Sequence, residues 1–515
     1  MTRAETADII VIGSGVGGLC CAALLAKYGF EVTVCESHTI PGGAAHSFQH
    51  QGFTFDSGPS LYSGLSYRPS TNPLRQVMDA IGVDLEWATY DTWGCRLPEG
   101  DFDTQVGAAQ FCDILQQLRG SLAVTEWQTL QRVMEPLKQA AIALPPAAIR
   151  LDLAAILSVG SFLPQMAPHA LQMARLTGPF SKLIEEVVTD PFVRNWLDLL
   201  CFLLSGLPAD GTLAAEMAFM FGEWYRPNVK LDYPIGGSGA IVDALVRGLK
   251  QHGGQLRLNA HVEQVTVAGG RATGVKLTNG QQLRAREAVI SNASIWDTLK
   301  LLPAAAVPPS FIETRQHTPQ CASFMHLHLG IDATKLPDNL ACHYIVVNDW
   351  AKGIEAPQNV VLISIPSLLD PSLAPGGCHT IHVYTPGNEP YDLWQGVDRH
   401  STMYETLKKQ RAEVMWQALE RVIPDVRSRC WVNLVGTPLT HERFLRRHQG
   451  TYGPAFRAGQ QLFPSPHTPV PGFWCCGDST FPGIGLPAVA TSGMIVANTI
   501  APINKHLDLL KALSG

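Results

Sequence analysis

Three glycines, Gly13, Gly15 and Gly18, stand in the spacing G-x-G-x-x-G, with Ser14 and Gly17 among the residues between them. An apolar run, Ile9 to Ile12, comes directly before them, and an Ala/Leu-rich stretch, Leu19 to Tyr28, directly after. A strand, a glycine turn and a helix in that order suit the binding of a pyrophosphate. The first glycine permits the tight turn, the second lets backbone approach the phosphates, and the third lets the helix pack closely on its strand. The start of the helix aims free N–H groups and the positive end of its dipole at the anion. A second strand, from Val32, ends at Glu36, where a carboxylate can accept hydrogen bonds from an adenosine ribose, and Ser37 follows it. A Gly-rich turn alone would need neither the buried strand nor the acid, so the combination predicts a dinucleotide site.

A further glycine pair, Gly42-Gly43, followed by Ala44, lies just beyond the acid. Backbone that must run close to a dinucleotide a second time favours FAD over a nicotinamide cofactor. Far along the chain, Gly472 to Cys476 reads as a strand that delivers Gly477-Asp478. Asp478 is expected to bond a ribityl hydroxyl. Gly483 and Gly485 would let the backbone turn beneath an isoalloxazine, and Leu486-Pro487-Ala488 opens a helix of small residues, with Pro487 expected at its first position. The N-terminus of that helix would face the flavin edge where negative charge accumulates on reduction. His326 and His328 share one face of a strand, but no Asp, Glu or Cys at ligand spacing completes a set, and His379 and His382 fall on opposite faces; no metal site is expected. Nucleophile-elbow, H-E-x-x-H and Walker patterns do not occur, so no catalytic side chain is assigned and a flavin would be the reacting group. Glu442, Arg443 and Tyr452 read as supporting residues.

The segment Gln51-Gly-Phe-Thr-Phe-Asp56-Ser-Gly58-Pro59-Ser60, together with the N-terminal glycines, resembles the FAD-dependent carotenoid isomerase, phytoene desaturase and retinol saturase superfamily. The block from Gly436 to Asn498 is similar above all to the prolycopene isomerases. This resemblance implies an α/β fold in which a Rossmann-type, glutathione-reductase-like FAD domain is interleaved with a mixed-sheet substrate domain and an apolar helical lobe. It also implies that Gly58, Pro59 and Ser60 lie at the cofactor, and that Val262 sets its backbone near the adenine. Ala44 departs from wider flavin relatives, which often carry Arg there. The implied activity is redox-neutral cis-to-trans isomerisation of an apolar polyene with reduced FAD. Desaturation or saturation of a polyene is the alternative, and a non-catalytic flavin-binding scaffold or pigment chaperone is the reading from another class.

The elements that must position these residues spread over 515 residues, enough for two intertwined lobes. The segments expected are an FAD-binding first part at 1–66, a helical substrate and membrane lobe at 67–230, a second FAD-binding part at 231–300, a substrate-domain sheet and helix at 301–435, and a C-terminal FAD-binding part at 436–515. Short strands are expected at Gln255 to Asn259, on either side of Gly269-Gly270, at Ala285 to Asn292, and at Cys321 to Ile331, Val360 to Ile365 and His379 to Tyr384; Met403 to Val422 reads as one long helix ending before Pro424. Gly236-Gly-Ser-Gly239 before an apolar helix could suggest another phosphate loop, but it lacks a G-K-[ST] ending and no buried strand is expected ahead of it. A net charge of -6 leaves no basic stripe for nucleic acid. Twelve cysteines without a C-x-x-C pair suit a reducing compartment. Met1 to Ala7 carries no apolar signal core, so the expected location is cytoplasmic or plastid, thylakoid-associated, and not secreted. Between Ala140 and Pro208 two apolar runs, cut by Pro145, Pro146, Pro164 and Pro168, fall short of the ~18 residues that span a bilayer. They read either as a lobe closing over a core or as a peripheral membrane face beside a long apolar cavity.

Overall fold

The computed structural model describes residues 5–58, 60–226 and 228–514. Its first sheet is built on the N-terminal strand, Glu5–Ile12, which runs parallel to Val32–Cys35 on one side and to Gln282–Ser291 on the other. Gln255–Arg257 extends one edge in parallel, and Phe473–Cys475 pairs in parallel with Gln282–Ser291. Ile9, Ile10 and Val11 are wholly buried, as expected of a strand covered on both faces. A hairpin, Val262–Ala268 with Arg271–Leu277, completes the sheet in antiparallel pairing. Its turn residues Gly269 and Gly270 have φ of 58° and 76°, the left-handed pair that a two-residue hairpin turn requires.

The helix Val16–Lys27 follows the glycine turn and packs against Ser238–Gln251 and against Leu486–Ile500, the second-to-last helix. That last contact is close because both partners are small there. A Cβ added to Gly493 would stand 2.4 Å from the Gly17 carbonyl oxygen. Tyr28 donates its hydroxyl hydrogen to Asn498 Oδ1 at 2.7 Å, tying together residues from the two ends of the chain. Pro487 occupies the second position of its helix, which opens one residue earlier, at Leu486.

A second sheet of seven strands runs in the order Cys430–Gly436, Ser323–Asp332, Cys378–Glu389, Val360–Ser364, His343–Val347, Thr92–Leu97 and Gly100–Gln105. Its neighbours are antiparallel except for the parallel pair His343–Val347 and Thr92–Leu97, so the sheet is mixed. The strands Thr92–Leu97 and Gly100–Gln105 fall inside the stretch read as a helical lobe. Their apolar signal is weak because Thr92, Gly94, Asp101 and Asp103 interrupt it, and tertiary pairing decides their state. Thr402–Glu420 forms the long helix and packs on this sheet.

The helical lobe carries its own core, where Trp127 and Phe111 lie at 4.8 Å and Phe111 stacks on Trp196 at 4.7 Å between ring centroids. Among the described residues no helix is long and apolar enough to cross a membrane.

A correction concerns Gly236-Gly237. A buried strand, Leu231–Pro234, does precede it, in a small antiparallel sheet with Tyr62–Ser63 and Trp87–Tyr90. The charge at the N-terminus of the following helix is nonetheless a protein carboxylate. Asp56 accepts from the Ser238 N–H at 2.9 Å, from Ser47 Oγ at 2.6 Å and from the Tyr233 hydroxyl at 2.7 Å. Burial of Asp56 raises its carboxyl above the ordinary range, and these donors hold it back.

Candidate functional site

The glycine turn lies at the end of the first strand. Gly13 adopts φ 90°, and its N–H donates to the Cys35 carbonyl at 2.8 Å, which locks the turn to the neighbouring strand. Glu36 is buried and organises what surrounds it. Its Oε2 accepts from the Ser14 N–H at 2.8 Å and from Ser14 Oγ at 2.6 Å; its Oε1 accepts from the His38 N–H at 2.8 Å. The Gly42 N–H donates to the Ser14 carbonyl at 3.1 Å, so the second glycine pair is fastened onto the first turn. A Cβ on Gly43 would lie 3.1 Å from Gly15 Cα, and one on Gly58 would lie 2.1 Å from the Ala44 carbonyl oxygen. Side chains at these positions would fill the channel between the two turns.

From the opposite end of the chain, Gly477 comes down beside Asn292, where an added Cβ would meet Asn292 Oδ1 at 2.5 Å. Asp478 makes a 2.6 Å ion pair with Arg447, and both are largely buried. The helix beginning at Leu486 presents its N-terminus to the same space.

One cavity of about 500 Å³ runs through these elements. Gly13, Gly15, Gly17, Glu36, Ser37, Gly42, Gly43, Ala44, Gly58, Ser60, Val262, Gly477, Asp478, Gly485, Leu486 and Pro487 all line it. Ser14, Gly18 and Ala488 do not. Ser14 holds Glu36 from behind, Gly18 packs against the Gly13 carbonyl, where a Cβ would approach to 2.5 Å, and Ala488 lies one residue past the lining turn. Pro59 lies outside the described residues. A flavin adenine dinucleotide fits this arrangement: the cradle stays open only because the facing positions lack Cβ atoms, a carboxylate stands at the ribose end, and a helix N-terminus stands at the far end. The glycine turn would hold the pyrophosphate, Glu36 the adenosine ribose, and Asp478 the ribityl chain.

The remaining wall comes mostly from residues to which the sequence reading gave no cofactor role. Phe202, Leu203 and Leu204 enter from the helical lobe, and Phe324, His326, Leu362 and Tyr384 enter from one face of the second sheet. His441, Arg447 and Tyr452 close it from the segment before the C-terminal strand. Tyr452, read as a supporting residue, lines the cavity; Glu442 and Arg443 do not, Glu442 accepting from the Tyr391 hydroxyl at 2.8 Å and Arg443 lying over the ring of Phe444, which does line it.

The second sheet also changes the histidine reading. His382 stands directly opposite His328, so the imidazoles of His326, His328 and His382 come within 4.8 Å of one another. Cross-strand register, which spacing along one strand cannot show, supplies this third ring. The rings are nearly parallel: 16° between His326 and His382, 7° between His328 and His382, and 16° between His326 and His328. The small angles do not mean that His326 is stacked on His382, because a nitrogen-to-nitrogen hydrogen bond lies in both ring planes. His326 Nδ1 and His382 Nε2 share that hydrogen bond, of 2.9 Å, and His328 Nε2 donates to the Asp56 carbonyl at 3.1 Å. Burial holds His326 and His382 well below the usual histidine range and brings His328 to about 4, so all three are neutral at pH 7.

Comparison with known proteins agrees with this architecture. Residues 16–501 match the model of the family described as flavin containing amine oxidoreductase. A prolycopene isomerase from an Oncidium hybrid cultivar is 32% identical over 99% of this chain and 87% of its own, and the Arabidopsis thaliana prolycopene isomerase is 31% identical over 96% and 82%. A lycopene-forming phytoene desaturase from Pseudescherichia vulneris is 25% identical over 95% and 98%. Among solved structures, putrescine oxidase matches with a TM-score of 0.63 at 15% identity over 97% of this chain and 99% of its own, which is a likeness of fold. With a family match over nearly the whole length and a dinucleotide cradle at its centre, this chain belongs to the flavin containing amine oxidoreductase family.

Proposed function

We propose that this protein is an FAD-dependent enzyme that converts cis double bonds of a conjugated apolar polyene to trans, with no net change of redox state. The observation that carries the reading is the continuity of one cavity from the glycine cradle to an apolar wall of Phe202, Leu203, Leu204, Phe324 and Leu362. Such a wall suits a hydrocarbon chain laid beside the cofactor. The similarity to prolycopene isomerases over nearly the full chain supports the same class of substrate. The reduced flavin would supply electron density that transiently lowers the order of a conjugated bond. The protein's part is to position and to exclude water. The glycine turns fix the cofactor, the helix N-terminus at Leu486 favours negative charge on the ring edge, and the apolar wall keeps the polyene dry.

The test is anaerobic incubation of dithionite-reduced protein with a poly-cis carotene, followed by chromatography and mass measurement. Product of unchanged mass and altered geometry is expected. Loss of two hydrogens would instead select desaturation, the reading that the 25% identical phytoene desaturase favours.

Attachment to a membrane surface belongs to the same proposal, since such a substrate resides in bilayers. Ile142, Leu151, Leu153, Ile156, Leu157, Leu163 and Leu171 are all exposed within one short stretch of the helical lobe, a concentration of apolar side chains that solvated surfaces rarely carry. The plant relatives named above are chloroplastic, which makes a plastid or an equivalent photosynthetic membrane the proposed location.

A further inference from the structure

The cavity wall opposite the flavin cradle is not uniformly apolar. His441 sits on the helix Pro438–Leu445 and lines the cavity together with His326, Tyr384 and Tyr452. Phe324 is the hub of the group, with ring centroids 5.5 Å from His326, 5.0 Å from His441 and 5.4 Å from Tyr452. A pure hydrocarbon offers none of these groups a hydrogen bond.

The chemistry of the His441 ring is fixed by its surroundings. Nδ1 lies 2.9 Å from the Gly450 carbonyl oxygen, an acceptor, so Nδ1 carries the hydrogen and donates it. Burial pushes the ring down to about 4, so it is neutral at physiological pH. A neutral imidazole protonated at Nδ1 holds a lone pair at Nε2, which can only accept. Beside it, 5.7 Å away between centroids, stands His326, whose Nδ1 is engaged by His382 and whose buried Nε2 has no partner. Two imidazoles and two phenols thus gather on one wall of a cavity otherwise suited to a polyene, and a buried nitrogen left unmet is costly.

We infer that this wall is a subsite for a hydroxyl group carried by the polyene, with His441 Nε2 accepting the hydroxyl hydrogen and His326 as the adjoining polar partner. The inference rests on the polyene reading above and narrows it to hydroxylated members of the class. No bond forms or breaks in this step; it is recognition alone.

The experiment uses flavin-loaded, oxidised protein, so that turnover does not enter. Binding of lycopene and of rhodopin, an acyclic hydroxylated counterpart, is followed by quenching of tryptophan fluorescence in detergent. Rhodopin is expected to bind on the order of 10-fold more tightly, because a polar site rejects the analogue that leaves it unpaired. His441→Phe should remove the preference, mainly by improving lycopene binding, and His441→Gln, which keeps an acceptor, should restore part of it. Equal affinities in the wild type overturn the inference while leaving the polyene reading standing. Binding of neither overturns both. Should His441→Phe fail to fold, the wild-type ratio still decides.

Discussion

Replacing Leu153, Ile156 and Leu171 by serine tests the membrane-facing surface directly. These side chains are 91%, 76% and 82% exposed, so they contribute almost nothing to the core. Full burial of a Leu or Ile side chain is worth about 2 kcal/mol, so three of them at these exposures offer at most about 5 kcal/mol to a bilayer. Immersion of about half that surface in the interfacial region leaves about 2.5 kcal/mol, a change of roughly 70-fold in the partition coefficient. Of the nearby charges, Arg150 pairs with Asp152 at 2.6 Å and Arg175 with Glu186 at 3.0 Å. Binding should therefore depend little on the anionic lipid content. The assay is flotation with vesicles of neutral lipid, repeated with vesicles that include anionic lipid. Thermal unfolding should change by less than about 0.5 kcal/mol, as expected for exposed positions. If wild type and triple variant float equally, or if wild type floats only with anionic lipid, the reasoning from apolar exposure is refuted.

Gly15→Trp should yield colourless protein, because the indole would occupy the cradle where the pyrophosphate lies; absorbance near the flavin bands checks it. Gly493→Val should destabilise by about 2 kcal/mol or more and lower flavin content together, since its Cβ would stand 2.4 Å from the Gly17 carbonyl; denaturant unfolding with and without added FAD separates the two effects. Burial raises the carboxyl of Glu216 to about 7. Its folded-state value lies above the unfolded one, so ionisation favours the unfolded chain: stability falls as pH rises from about 4.5 to about 7, by at most about 3 kcal/mol, and is level above that. Glu216→Gln should flatten this window and be the more stable protein at pH 8, as read by urea midpoints. Asp56→Ala strands the donors of Ser47, Tyr233 and Ser238 and should cost about 3 kcal/mol, with the spectroscopic signals of the two sheets lost in one transition.

The parts of this architecture legible in the sequence are those in which a local pattern carries the physics. The turn at Gly13, the acid at Glu36 and the hairpin at Gly269-Gly270 each need a residue type that few positions tolerate, so spacing alone locates them. The far wall of the cavity follows no such rule. His326 and His382 meet because Ser323–Asp332 and Cys378–Glu389 pair in one register, and a shift of one residue would send every side chain to the other face. Strand Thr92–Leu97 joins the second sheet in parallel with a strand some 250 residues later, a pairing with no local signal. The same holds for Arg447: in sequence it is an ordinary polar residue, and only the folded loop pairs it with Asp478 at the cavity.

The glycine-to-glycine contact between the first helix and Leu486–Ile500 has a consequence for the order of events in the cell. Gly17 and Gly493 are separated by most of the chain, and so are Tyr28 and Asn498, whose hydrogen bond closes the same interface. During synthesis from the N-terminus, the nucleotide turn emerges first but lacks the helix that backs it until nearly all of the polypeptide has left the ribosome. Through that interval Val16–Lys27 is covered on the side of Ser238–Gln251 but not on the side that Leu486–Ile500 closes. Loading of the cofactor then coincides with the closure of Leu486–Ile500 onto the first helix, and a chain that stops short of that helix forfeits the cradle even though every residue of the first turn is present.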